Sequence, residues 1–200
     1  MCYIALEGID GCGKSTIHKL LRKEFRDADF IREPGTSKFA EEIRRVIFEN
    51  MKDLKPITVQ LAMLAARSDL NITNPFTISD RCFLSGCYDE ELRTYDKIKT
   101  WLQFTMEYVN LPDTIIFLDI SPETSINRLR NRSDKNDYDT NDMVEIQKRI
   151  DAYHYWIKIV EQLMPNIKVI IVDANRSMQE VLNEVIAIIE EKLSCKKPEI

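Results

Sequence analysis

Glycine is scarce in this chain, with five in 200 residues and three of them between positions 8 and 13. A sequence that does without glycine elsewhere concentrates it where the backbone needs positive φ or close approach. Histidine is scarcer still: His18 and His154 are the only two, which leaves no basis for a histidine-built metal centre. The cysteines (Cys2, Cys12, Cys82, Cys87, Cys195) are odd in number and contain no CxxC pair. They predict reduced thiols in a cytoplasmic setting rather than a disulfide framework. No uncharged apolar stretch is long enough to span a bilayer. The opening Met-Cys-Tyr-Ile-Ala-Leu, followed at once by Glu7, lacks the basic start and apolar length of a secretory signal. Basic residues are not in excess either. The 28 Lys and Arg stand against 33 Asp and Glu, a net charge of −5. No general field therefore draws nucleic acid, and an anionic ligand must be met by a local cluster of cations.

What is present fits one domain over residues 1–200, with 44% hydrophobic residues to build its core. Short apolar runs at Cys2–Leu6, Phe30–Ile31, Phe76–Ser79, Thr114–Ile120 and Lys168–Val172 predict buried strands. Between them lie helical stripes: Ile17, Leu20, Leu21 and Phe25; Ile146, Ile150, Tyr153, Ile157, Val160 and Met164; Val181, Val185, Ile188 and Ile189. Strands alternating with helices predict an α/β fold whose parallel sheet is covered on both faces. Trp101, Phe104, Thr105 and Tyr108 are expected on one face of a further helix. The polar stretch 131–142 separates two helical patterns, with arginines just before and at its start. It is read as a short lid over an anionic site.

The segment Gly8-Ile9-Asp10-Gly11-Cys12-Gly13-Lys14-Ser15 matches G-x-x-x-x-G-K-[ST] between a predicted strand and a predicted helix. Its glycines let backbone N–H groups wrap a phosphate, Lys14 can reach the outer phosphates, and the Ser15 hydroxyl can ligate Mg²⁺. A guanine nucleotide hydrolase would also need Asn-Lys-x-Asp after a strand; the nearest string, Asn131-Arg132-Ser133-Asp134, follows a helical pattern instead. A small kinase needs a second cationic site for a phosphorylated acceptor. Arg32-Glu33-Pro34-Gly35-Thr36 follows the second strand, Asp80-Arg81 the third, and Arg67 lies late in the helical segment Ile57–Leu70. Ligands of open parallel sheets collect beyond the carboxyl ends of the strands, so Arg32 and Arg81 are expected on the same rim as Lys14.

In their order and spacing, Glu7–Thr16, Arg32–Thr36, Ala65-Ala66-Arg67, Asp80-Arg81 with Ser85-Gly86, Leu118–Glu123 and Val172-Asp173-Ala174 resemble the thymidylate kinase family across nearly the whole chain. All five glycines fall inside these segments, and Arg-Glu-Pro-Gly is the most diagnostic of them. The resemblance implies a P-loop fold of three layers, a five-stranded parallel sheet between helices, commonly in a homodimer. It implies transfer of the γ-phosphoryl group from Mg-ATP to dTMP, giving dTDP and ADP. By the same resemblance, the donor would be held by Gly8, Ile9, Asp10, Gly11, Cys12, Gly13, Lys14, Ser15 and Thr16, with Arg128 and Ala174 near adenine. Ser15 and Asp80 would serve Mg²⁺. Asp10, Arg32, Glu33, Pro34, Met63, Arg67, Arg81, Ser85 and Tyr88 would form the acceptor site. Arg130 or Arg132, at the start of the lid, would supply the transition-state cation that the P-loop itself lacks, with Arg149 a further candidate.

Four positions depart from the family pattern. Met63 stands where an aromatic residue usually stacks on thymine, and Cys82 replaces the tyrosine after Asp-Arg. Gly86-Cys87-Tyr88-Asp89 replaces an Ala-Tyr-Gln segment, and Asn136-Asp137-Tyr138-Asp139 lacks the usual lid arginine. Three of the four touch the acceptor side. They predict a pocket that accepts dTMP and dUMP, or modified pyrimidine monophosphates; a deoxynucleoside kinase on the same fold is the alternative.

Overall fold

A computed structural model describes residues 2–35, 37–88, 92–131 and 142–194. Thr36, Arg132, the altered lid segment at Asn136–Asp139 and the side chain of Tyr88 fall outside the described parts. Five strands form one sheet: β1 (Cys2–Glu7), β2 (Asp29–Arg32), β3 (Phe76–Asp80), β4 (Thr114–Asp119) and β5 (Lys168–Asp173). Every pairing is parallel, in the order β2-β3-β1-β4-β5. Each strand falls on an apolar run predicted from the sequence, with its ends displaced by a residue or so. The order follows burial. Strand β1 is buried along its whole length and sits centrally, while β2 and β5, which begin and end on charged residues, form the edges.

The helices are α1 (Lys14–Glu24), α2 (Lys38–Asn50), α3 (Pro56–Ser68), α4 (Tyr95–Tyr108), α5 (Pro122–Arg130), α6 (Met143–Leu163) and α7 (Met178–Ser194), with a 3₁₀ turn over Phe83–Tyr88. Several begin on side-chain caps. Ser37 accepts from Ala40 N at 3.1 Å, Ser121 from Thr124 N at 3.2 Å, and Asp142 from Val144 N at 2.9 Å. Each satisfies an N–H that the first helical turn leaves without a partner. The α6 stripe from Ile146 to Met164 is buried as its spacing predicts. The stripe expected on α4 divides. Trp101 and Thr105 are buried, whereas Phe104 and Tyr108 are more than half exposed and their rings touch, centroids 4.6 Å apart. Residues i and i+4 share a stripe; 101/105 and 104/108 are two neighbouring stripes, and only the first meets the core.

Helices α1 and α7 pack on each other and on the sheet, while α6 packs against β5, α4, α5 and the 3₁₀ turn. Side chains alternate along a strand, so Tyr3, Ala5 and Glu7 of β1 share one face. Register fixes the rim: Leu6 is opposite Asp80, and Asp80 is opposite Arg32. The segments that follow β1, β2 and β3 therefore leave the sheet side by side.

Candidate active site

The turn after β1 forms a phosphate cradle. Gly8 takes φ 145°, and a Cβ there would lie 2.7 Å from Leu118 O and 2.8 Å from Cys12 Sγ, so no larger residue fits. Gly13, at φ 98°, is the N-cap of α1 and supplies no capping side chain. The first N–H groups of α1 therefore remain for an anion, at the positive end of the helix dipole. Lys14 stays within the loop: its Nζ donates to Gly8 O at 2.6 Å and Ile9 O at 2.9 Å and is 3.5 Å from Cys12 Sγ. Ile9 and Cys12 are buried under the loop, while Ser15 and Thr16 are exposed.

Arg128 of α5 closes one side of this cradle. It donates to Ala174 O at 2.8 Å and Arg176 O at 3.2 Å, and reaches Cys12 O at 3.4 Å. The loop after β5 is thereby tied to the P-loop, which brings the two expected donor elements together. Ser125 on the same helix donates to Asp10 O at 2.8 Å. Ser15 Oγ donates to Asp80 Oδ2 at 3.2 Å, and Asp80 Oδ1 is buried with no hydrogen-bond partner among the described residues. A buried carboxylate oxygen without a donor is a costly arrangement that a cation relieves, so the Ser15–Asp80 pair suits Mg²⁺.

A cavity of about 720 Å³ opens beside the cradle, a size ordinary for small-molecule sites. Asp10, Arg32, Glu33, Pro34, Met63, Arg67, Arg81 and Ser85 all line it. Of the acceptor residues expected from the sequence, only Tyr88 is outside what can be described. Arg81 is the hinge between the two halves. It adopts φ 77° and its N–H bonds Leu6 O at 2.9 Å. Its guanidinium donates to Asp10 Oδ1 at 2.9 Å and Ser85 Oγ at 3.3 Å. A non-glycine residue held at positive φ is uncommon and persists only where its surroundings fix it. Of the described arginine candidates for the transferred group, Arg130 is exposed at the end of α5 and is not among the cavity residues, whereas Arg149 lines the cavity.

Sequence reasoning missed the buried carboxylate that joins the halves. Glu7 is fully buried. Its Oε1 accepts from Cys82 N at 2.9 Å and Ser85 Oγ at 2.7 Å; its Oε2 accepts from Tyr153 OH at 2.7 Å and Gly8 N at 3.2 Å. One side chain thus fixes the start of the P-loop, the segment after Arg81 and helix α6. The signal was present, a lone carboxylate at the end of an apolar strand, but its partners are up to 146 positions away. Two positions that depart from the family pattern are packed beside it. Cys82 and Cys87 are buried, and burial pushes both thiols well above their usual range. They are neutral, small apolar groups.

A phosphate nest joined by one guanidinium to a second cationic cleft defines a P-loop phosphotransferase with separate donor and acceptor stations. The thymidylate kinase family profile matches residues 6–185. The thymidylate kinase of Mycoplasma capricolum is 32% identical over 209 residues, covering 96% of this chain and 95% of that one. A probable thymidylate kinase of Thermococcus onnurineus is 29% identical over 210 residues, covering 96% and 98%. The chain belongs to the thymidylate kinase family. Among solved structures, a deoxyadenosine kinase from M. mycoides with dCMP and a flexible dCDP bound shares the fold. Its TM-score is 0.68 at 22% identity, covering 94% of this chain and 98% of that one.

Proposed function

We propose that this chain transfers the γ-phosphoryl group of ATP to dTMP, giving dTDP and ADP. The observation that carries this reading is Arg81: it touches Asp10 of the P-loop and lines the cavity that holds Arg32, Met63 and Arg67. The donor triphosphate is held by the backbone of residues 8–16 and Lys14, with adenine between Arg128 and Ala174. Ser15 and Asp80 would hold Mg²⁺, which would supply charge neutralisation on the donor phosphates. Arg32 and Arg81 hold the acceptor phosphate in line with them. That phosphate is largely ionised near pH 7 and attacks without a protein base, so alignment and charge neutralisation are the work of the site. Asp10 fixes Arg81 and faces the acceptor sugar. Arg67 reads the base edge. Its Nε is engaged with Glu33, which leaves the Nη donors for a keto oxygen of the pyrimidine. Glu33 and Pro34 shape the floor beneath it.

The reading extends to one kinase domain with a lid at 131–142, closing to bring Arg130 or Arg132 to the transferred group. Tyr88 screens the sugar 2′ position. A homodimer in the cytoplasm is part of the same proposal; Phe39, Val46 and Leu61, exposed on the adjoining helices α2 and α3, are apolar groups that a second copy would cover. No helix among the described residues is long and apolar enough to cross a membrane.

Coupled measurement of ADP across the deoxynucleoside and ribonucleoside monophosphates, and across free nucleosides, tests the activity. Turnover with dTMP, and less with dUMP, is expected. A preference for uncharged nucleosides would assign the chain to deoxynucleoside phosphorylation, because Arg32 and Arg81 would then have no phosphate to bind.

A further inference from the structure

We propose that Phe48 is the aromatic wall against which the acceptor's base packs, supplying the flat surface that Met63 does not. The inference rests on the reading of the cavity as a pyrimidine monophosphate site. Family resemblance places an aromatic ring at position 63, and this chain has a flexible thioether there. Met63 covers a base face softly and without preference for a plane. The cavity nevertheless has a partly exposed phenylalanine ring in its lining. Phe48 lines it from α2, and Val59, Met63 and Arg67, at intervals of four on α3, line it as one helical stripe. Helices α2 and α3 are joined by a short turn and pack against each other, so one helical hairpin carries the ring, the thioether and the base-reading guanidinium.

The ring is held in place. Arg44, one turn before it and also lining the cavity, sets its Cζ 4.8 Å from the Phe48 centroid. A guanidinium stacked at this distance is attracted to the ring and restrains its rotamers. Phe48 remains 42% exposed, which is what a side chain on the wall of an open cleft shows and what a core phenylalanine does not. Among the described residues two other aromatics line the cavity, and neither suits the base equally well. Trp156 is 1% exposed and donates through Nε1 to Leu92 O, so it belongs to the core. Tyr155 projects from α6 beside Lys148, Arg149 and Asp151, the charged side of the cleft. Among the described aromatic residues of the cavity, Phe48 alone comes from the α2–α3 hairpin that also carries Val59, Met63 and Arg67.

The test is a compensation experiment by steady-state kinetics. Phe48→Leu is expected to raise KM for dTMP about tenfold, the scale of losing one aromatic contact to a base, while KM for ATP and the melting temperature hold. Met63→Phe placed in the Phe48→Leu background is expected to restore KM to within about threefold of the parent, because either ring can then cover the base. A dTMP KM in Phe48→Leu within about twofold of the parent, read as unchanged binding, would overturn the inference. So would a Met63→Phe effect of equal size with and without Phe48, since the two positions would then act independently. If the parent turned over no pyrimidine monophosphate, the functional reading would fail and this inference with it, an outcome distinct from either result above.

Discussion

Arg67 and Glu33 form an ion pair hidden from solvent: Nε lies 2.8 Å from Oε2, with the two side chains 5% and 1% exposed. The other carboxylate oxygen of Glu33 accepts from Tyr3 OH. Burial pushes the Glu33 carboxyl above its ordinary range, against the opposing pull of Arg67 and Tyr3. Such an arrangement contributes little net stability, because desolvation offsets the Coulomb attraction. The pair fixes the position of Nε on a side chain that lines the cavity.

Breaking that pair from one side is therefore expensive. Arg67→Leu is expected to lower unfolding free energy by about 3 kcal/mol, because it leaves a buried carboxylate uncompensated. Tyr3→Phe is expected to cost about 1 kcal/mol, one hydrogen bond. Urea unfolding at pH 7 measures both; equal and negligible losses would show that water reaches Glu33 freely.

Glu7 holds three segments at once, so Glu7→Gln should damage alignment more than binding. The amide retains the contacts to Cys82 and Ser85 only by setting an N–H against Gly8 N. Transfer to dTMP is expected to fall about 100-fold through misplacement of the reacting groups, with ATP affinity within about threefold of the parent. Single-turnover rates and an ATP titration separate the two.

The donor and acceptor clamps should fail differently. Lys14→Ala is expected to lower kcat at least about 100-fold, with the circular dichroism spectrum unchanged. Arg81→Ala is expected to raise KM for dTMP more than KM for ATP. An equal effect of Arg81→Ala on both substrates would mean that the residue serves the P-loop rather than the second phosphate.

Asp80 Oδ1 is a buried carboxylate oxygen without a hydrogen-bond partner among the described residues. Asp80→Asn is expected to shift the Mg²⁺ concentration for half-maximal turnover upward by about tenfold, through loss of one charged ligand. An unchanged Mg²⁺ dependence would remove Asp80 from the metal's surroundings.

His18 gives the pH dependence a sign. Burial lowers its pKa from 6.5, with the Asp80 carboxylate pulling the other way. Its ring lies edge-on to Phe30, and Nε2 is 3.3 Å from Ile78 O. A depressed folded pKa means that the unfolded chain binds the proton first. His18 therefore contributes stability that is complete above pH 6.5 and lost as pH falls through its folded pKa. Melting temperature is expected to drop between pH 7 and pH 5, and less steeply in His18→Gln. Parallel curves for the two proteins would contradict this.

Much of this molecule was readable along the chain. Strand runs, the glycine cluster and the Arg-Glu-Pro-Gly and Asp-Arg segments are local patterns, set by burial of a parallel sheet on both faces and by the backbone freedom of glycine. They placed five strands and picked out Asp10, Arg32, Glu33, Pro34 and Arg81, which line one cavity. Only the tertiary structure decided what holds those residues. Tyr153 meets Glu7 across 146 positions, and Tyr3 meets Glu33 across 30. Nothing periodic marks a polar side chain whose partner arrives from another layer. The same limit explains Phe48 and the divided stripe of α4. Helical spacing says which side chains share a face, and packing alone says whether that face meets the core, the solvent or a cleft.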